Sequence, residues 1–427
     1  MEIDETVREL LGEMSLEELG GGGSIDSGAE EELFRRAGQQ AAGKLLVERW
    51  QEADVGAIVQ CEQCRESMKP IGRRKKTLQT VCGAVEINRR VYYCAKCRQT
   101  KALLDRRLGV ESSGMTPGLM RLVCRTALEL PYQQSERLLN DTLGFTPCSA
   151  REIERIAKQH GQRIEKSQFE EGPAEPVRKP RRQRKVSYCL AIDGVMIPGL
   201  PDAQEHRLNW HDVKVAVMTD RRGIENSIYV AGREDAATFG KRLWHRMESF
   251  GLGKENFALI VGDGAPWIWN LAEMHLPGVP HLLDFYHAAE HLYATAELVW
   301  GEEKNKENWW RRRLEQLKEG RLTGFFFALK KLVRVHGDSE SNNSPKRLLQ
   351  YFTDNRTRLR YQWAAQNNLP IGSGSVESAA RHIVQQRLKQ SGMRWSDPGA
   401  QSILNLRTVH RNGEFEQYWE DYAVSGF

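Results

Sequence analysis

Hydrophobic positions divide the chain into stretches of different period. Residues 29–54, "AEEELFRRAGQQAAGKLLVERWQEAD", space their apolar side chains as a helix does, and a shorter amphipathic helix is expected over 1–19 before a flexible break at "GGGGS" (20–24). Between 61 and 97 the period falls to two. There "TVCGAVEINRRVYYC" alternates on both sides of a polar centre, as the arms of a hairpin do. Helical spacing returns over 115–165, where two amphipathic stretches flank a Gly-Phe-Thr-Pro turn and Ser149 with Glu152 forms a capping box.

Beyond residue 186 the pattern changes again. "VSYCLAIDGVMI" (186–197), "WHDVKVAVMTD" (210–220) and "NSIYVAG" (226–232) predict three strands, and 236–250 a helix. "NFALIVGDGA" (256–265) predicts a fourth strand, "PWIWNLAEMHL" a helix opened by proline, "HLLDFYH" a fifth short strand, and most of 287–365 helix. Strands followed by alternating helix and strand make a mixed α/β sheet.

Composition narrows the class. A chain of 427 residues can bury two or three cores, and 40% hydrophobic with 28% charged residues excludes a disordered protein. No apolar run approaches the roughly 20 residues of a membrane span, and the acidic "MEIDETVREL" is unlike a signal peptide, so a cytoplasmic, nucleoid-associated protein with no membrane partner is expected. A net charge of +5 is too small to choose a partner. Its distribution says more, because "RKPRRQRK" (178–185) gathers Arg181, Arg182, Arg184 and Lys185 in one stretch that suits either a solvated tether or a phosphate backbone.

Of eight cysteines, Cys61 with Cys64 and Cys94 with Cys97 form two Cys-x-x-Cys pairs on either side of the hairpin. In a reducing compartment four such thiolates close a structural Zn²⁺ site, which leaves no open position for catalysis. Arg73, Arg74, Lys75 and Lys76 lie inside this zinc-ribbon-like module and fit nucleic acid or plain solvent equally. The helix from 150 to 163 turns Arg151, Arg155, Lys158 and Gln159 to one side and Ile153, Ile156 and Ala157 to another, as the recognition helix of a helix-turn-helix requires and as an ordinary surface helix also shows.

Three carboxylates are candidates for the chemistry, although singly an Asp before Gly is a common turn and a Glu in a first helical turn complements the helix dipole. Asp193 in "LAIDGV" and Asp263 in "IVGDGA" each follow an apolar strand and precede glycine, so each emerges at a strand edge or end. Two buried carboxylates repel unless a cation stands between them, and Mg²⁺ is the hard, oxygen-seeking ion that suits them. Glu377, in the first turn of the helix "VESAARHIVQQRLKQ", supplies the third ligand needed to hold two ions.

With "AIDGVMI", "VGDGAPWIWNLAE", "LLDFYHAAEHL" and "GSGSVESAARHIVQQRLKQSGMRW", the chain resembles a DDE transposase of a bacterial insertion sequence, most closely the ISKra-type family. The resemblance covers most of 186–410. Upstream of it, the residue patterns above read as an N-terminal helical region (1–55), a zinc-ribbon-like module (56–105), a helix-turn-helix-like DNA-binding module (106–168) and a basic linker (169–186), so a multidomain α+β protein is expected. The resemblance implies a ribonuclease-H-like mixed α/β catalytic domain (187–290 and 366–412) with a helical insertion domain (291–365), ahead of a C-terminal tail (413–427). It implies Asp193, Asp263 and Glu377 as the triad for two Mg²⁺ or Mn²⁺ ions, and Asp284 with His287 as an Asp-x-x-His motif in which His287 shuttles a proton or contacts the scissile phosphate. Arg381, Arg387, Lys389, Arg394 and Trp395 would then grip DNA near the site. The expected activity is hydrolysis of phosphodiesters at the element ends and strand transfer into target DNA, by a homodimer or higher oligomer. Three rivals stand beside it: a non-catalytic DNA-binding regulator, a structure-specific nuclease, and a zinc protease on "HAAEH" (287–291) with Glu290 as base.

Overall fold

The computed structural model describes residues 27–110, 113–170, 187–201, 209–221, 223–301, 304–336 and 343–425. The helix expected over 1–19, the glycine break and the basic linker lie outside them. The chain is a multidomain protein mixing helix and strand, with two compact units: residues 1–159 with 413–427, and residues 160–412.

The first unit begins with α1 (Ser27–Glu52) and a four-stranded antiparallel sheet in the order β1 (Val59–Gln60), β2 (Ser67–Thr80), β3 (Gly83–Cys94), β4 (Gln99–Lys101). The long hairpin of β2 and β3 pairs from Lys69 with Tyr93 to Thr80 with Gly83, and Gly83 closes the turn at φ +104°, a conformation that favours glycine. Its alternation buries Leu78, Val85 and Ile87 against Val47 and Trp50 of α1 and Leu104 of α2 (Leu103–Arg107). Three helices follow: α3 (Pro117–Glu129), α4 (Tyr132–Leu143) and α5 (Ala150–Glu165), whose residues from His160 onward belong to the second unit. The cap of α5 is half of the expected box. Ser149 Oγ accepts the Glu152 N–H at 3.3 Å, but the Glu152 carboxylate turns to Arg155 at 2.6 Å instead of reaching back.

The second unit is built on a five-stranded sheet. β5 (Tyr188–Pro198), β6 (Trp210–Asp220) and β7 (Gly223–Gly232) form an antiparallel meander, and α6 (Ala236–Ser249) leads to β8 (Phe257–Gly262), which pairs parallel with β5. α7 (Pro266–His275) then leads to β9 (His281–Leu283), parallel with β8, completing the order β7-β6-β5-β8-β9. The fifth strand is shorter than "HLLDFYH" suggested, because Asp284 caps a helix and ends it at Leu283.

Five helices follow: α8 (Phe285–Trp300), α9 (Lys304–Lys318), α10 (Leu322–His336), α11 (Pro345–Asp354) and α12 (Tyr361–Gln366). Their Phe325, Leu329, Phe352 and Tyr361 belong to one apolar cluster with Leu190, Ile192 and Ile260 of the sheet. The stretch 291–365, expected as a helical insertion domain, thus packs into the same core as the sheet. The chain returns through α13 (Gly374–Ala379), a π-helical stretch over Ala380–Gln385, α14 (Gln386–Leu388) and α15 (Asp397–Arg411). The last helix, α16 (Phe415–Ser425), rejoins the first unit, where Glu416 pairs with Arg121 of α3 at 2.7 Å. Among the described residues, no helix is long and apolar enough to cross a membrane.

Candidate active site and metal centre

Sheet register brings the first two carboxylates together. The parallel pairing of β5 with β8 runs to Ile192 beside Gly262, so Asp193 and Asp263 are the next residues on adjacent strands. Asp193 Oδ1 accepts the Gly194 N–H at 2.7 Å, and Asp263 Oδ1 accepts the Ala265 N–H at 2.8 Å, which opens α7. Glu377 arrives from α13, whose buried Val376 and Ala379 seat it on β5 and β6 while Glu377 itself stays exposed. All three meet electrostatically at Asp193. Burial pushes its carboxyl up to about 6 against the pull of the Gly194 N–H, with Asp263 and Glu377 adding repulsion and His287 opposing them.

The other side of the site is α8. His287 Nε2 lies 3.3 Å from His291 Nε2, one helical turn on, and the His291 ring sits 4.3 Å from that of Tyr351, whose hydroxyl donates to the Asp263 carbonyl at 2.8 Å. Burial, followed by the charge of His287, holds the His291 pKa below its ordinary value. Glu290, the base of the protease reading, stands on the Nδ1 edge of His287 at 3.7 Å and not at the paired Nε2 atoms. Asp284 is 1% exposed and fully engaged: Oδ1 accepts the Tyr286 and His287 N–H groups at 2.6 and 3.0 Å, and Oδ2 accepts the Ser373 N–H at 2.7 Å and its hydroxyl. It therefore fixes both the start of α8 and the loop that delivers Glu377. Sequence reasoning gave His291 a role only in the rival zinc-protease reading, and it missed Tyr351. The i, i+4 spacing from His287 marks the first as a neighbour on the same helix face, whereas nothing local marks Tyr351.

In the first unit, Cys61, Cys64, Cys94 and Cys97 place their sulfurs within 4.8 Å of one another, with Cys64 and Cys94 at 3.6 Å. A tetrahedral ion with Zn–S of about 2.3 Å requires edges of roughly 3.8 Å, so the four thiols are placed to hold one metal ion such as zinc. The residue after each Cys-x-x-Cys pair, Arg65 at φ +58° and Arg98 at φ +55°, turns left-handed in both knuckles, and the Cys64 N–H brings the Cys61 thiol down to about 7. Among the described residues, the three carboxylates do not gather within that 4.8 Å limit. An octahedral Mg²⁺ shell is about 4.2 Å across, so one ion alone does not reach all three as they stand.

The remaining expected DNA contacts divide. Arg151 and Arg155 are exposed, with Arg155 held by Glu152 at 2.6 Å and Gln159 at 3.2 Å, and Lys158 is half-buried. Arg381, Lys389 and Arg394 are exposed. Arg387 and Trp395 are corrections: both are buried, the guanidinium lies 5.0 Å over the indole, and Trp395 Nε1 donates to the Leu388 carbonyl at 2.9 Å. They stack to form the core beneath α14, so neither presents a surface to DNA. Arg73, Lys75 and Lys76 pair with Asp54, Glu86 and Asp105 at 3.2, 2.7 and 3.1 Å. Arg181, Arg182, Arg184 and Lys185 lie outside the described residues.

Fold and site define a multidomain protein mixing helix and strand, with a four-thiol cluster in one unit and an acidic, histidine-flanked site on the central strands of the sheet in the other. The sequence pattern of an uncharacterised protein family, UPF0236, matches residues 34–420, and the chain belongs to that family. It is similar to the "UPF0236 protein in vanSb 3'region" of Streptococcus gallolyticus, at 25% identity over 332 residues that cover 74% of this chain and 69% of that protein.

Proposed function

We propose that the protein is a DDE-type DNA transposase that binds the ends of an insertion sequence, cleaves their phosphodiesters and joins them to target DNA. The observation that carries this reading is the convergence of Asp193 and Asp263 on adjacent parallel strands with Glu377 from a helix laid across the same sheet. An antiparallel meander whose first strand pairs parallel with β8, and β8 in turn with β9, supports a ribonuclease-H-like catalytic domain over 187–290 and 366–412.

The donor set is all oxygen and Asp193 already bears the cost of like charge, which fits Mg²⁺ or Mn²⁺. In this reading the three carboxylates together would hold two such ions. Ions held there would activate a water or a 3′-hydroxyl and stabilise the leaving oxygen. Asp193 and Asp263 hold the reacting phosphate's surroundings rigid from the sheet, Glu377 closes the site from α13, and His287 is placed to pass a proton or touch the phosphate. The zinc-ribbon-like module and α5 bind DNA in this reading, and pairing of two element ends calls for a dimer or larger assembly.

The test is nicking of supercoiled DNA that carries the element ends, with Mg²⁺ or Mn²⁺, by the wild type and Asp263→Asn. The asparagine oxygen can still accept the Ala265 N–H, so the fold is retained. We expect metal-dependent nicks at the ends that fall by at least about a hundredfold in the variant. Equal activity in both would remove the triad assignment. Specific binding without nicking by either would favour the non-catalytic regulator.

A further inference from the structure

An open cavity of about 510 Å³ lies between the helices α8, α9 and α10, and none of the three carboxylates lines it. Its lining follows helical spacing: Asn305, Asn308, Trp309, Arg312 and Arg313 share one face of α9, and Ala328, Lys331, Leu332, Val335 and His336 one face of α10. Trp300, at the end of α8, completes the wall with its ring 5.3 Å from Trp309 and 5.7 Å from His336. Cavities of roughly 300–1,000 Å³ are the size that accepts a small ligand.

Charge distinguishes this cavity from an ordinary groove between helices. On its outer face α9 neutralises Arg311 with Glu307 at 2.8 Å. On the lining face Arg312 and Arg313 stand together with Lys331, and among the described residues no carboxylate lines the cavity. The Arg313 guanidinium lies 5.6 Å over the Trp309 ring with its Nε buried and without a hydrogen-bond partner. Burial and the adjacent Arg312 lower its pKa. Two guanidiniums and an ammonium beside an aromatic wall and amide groups make a place for an anion joined to a flat, hydrogen-bonding ring.

We infer that this cavity binds an unpaired nucleotide of a DNA strand, its phosphate taken by Arg312 and Lys331 and its base resting on Trp300 and Trp309 with Asn308 at its edge. Indoles stack on any base, and an unpaired base alone exposes both of its faces. The choice of DNA rests on the transposase reading, in which the strand being processed must be opened near its end.

The test is fluorescence anisotropy without added Mg²⁺, using a labelled short single-stranded DNA and a blunt duplex of the same sequence. Arg312→Ala and Trp309→Ala should each weaken single-strand binding by about fivefold or more and duplex binding much less, as loss of a stacked base or phosphate contact does. Trp309→Phe should recover most of the affinity, which separates stacking from misfolding, and Arg311→Ala on the outer face should change little. Equal affinity across all variants, equal loss for Arg311→Ala and Arg312→Ala, or tighter binding of the same sequence as RNA would overturn the inference. If the wild type fails to nick DNA yet this pattern holds, the transposase reading falls and the nucleotide site stands.

Discussion

Asp193 shows how a single side chain can oppose the fold that holds it. Its folded-state pKa of about 6 lies above the ordinary 3.8, so the protonated form is favoured in the folded protein and stability is lost as pH rises from about 4 to 6. Asp193→Asn keeps an acceptor for the Gly194 N–H and removes the charge. The metal-free variant should therefore melt higher than wild type at pH 7.5, by up to roughly 3 kcal/mol, while losing nicking activity. Added Mg²⁺ should raise the melting temperature of the wild type and leave the variant unmoved. A variant that melts lower would show that the carboxylate is not under strain. Each aspartate alone reads equally as an ordinary Asp-Gly turn, and the two became legible only as a set with Glu377, each aspartate following an apolar strand. Arg387 and Trp395 were not legible, since a basic residue followed by an aromatic looks like a DNA grip until the fold stacks one on the other and buries both.

At the scale of elements, the cysteine pairs and the hairpin between them were read together because alternation and spacing are local. The left-handed Arg65 and Arg98 that shape the knuckles left no trace, since arginine has no preference for that conformation. The purified protein should carry one zinc ion per chain by elemental analysis. Chelation or acidification should release it, because thiolates must be deprotonated to bind, and Cys94→Ser should prevent its return. Protein that folds and remains metal-free at saturating Zn²⁺ would overturn the assignment. The end of β9 was misjudged for a related reason: "DFYH" is apolar enough for a strand, and only the hydrogen bonds of Asp284 show it to be the first turn of a helix.

Across the whole molecule, residues far apart in sequence close each unit, and these contacts were the least legible. Gly161 lies so near α15 that a Cβ would stand 2.4 Å from the Ser402 carbonyl oxygen, and Asn405 donates to the Gly161 carbonyl at 3.0 Å. Gly161→Ala should cost about 1–3 kcal/mol in urea unfolding, because the obstructing atom is backbone and cannot swing aside. An unchanged midpoint would show that α15 is free to shift. Asp284 carries a consequence of another kind. Its bond to Ser373 spans 89 residues, and the Phe285 N–H to the Ile371 carbonyl at 2.9 Å doubles the link, so the helices α8 to α12 leave and re-enter the sheet through one neck closed by a carboxylate clasp. Doubling the length of a closed loop costs only about 0.6 kcal/mol. With the neck fastened, the spacing between Asp263 and Glu377 is set at the base of the excursion, and added length in its loops would leave that spacing fixed while its helices stay in the core they share with the sheet.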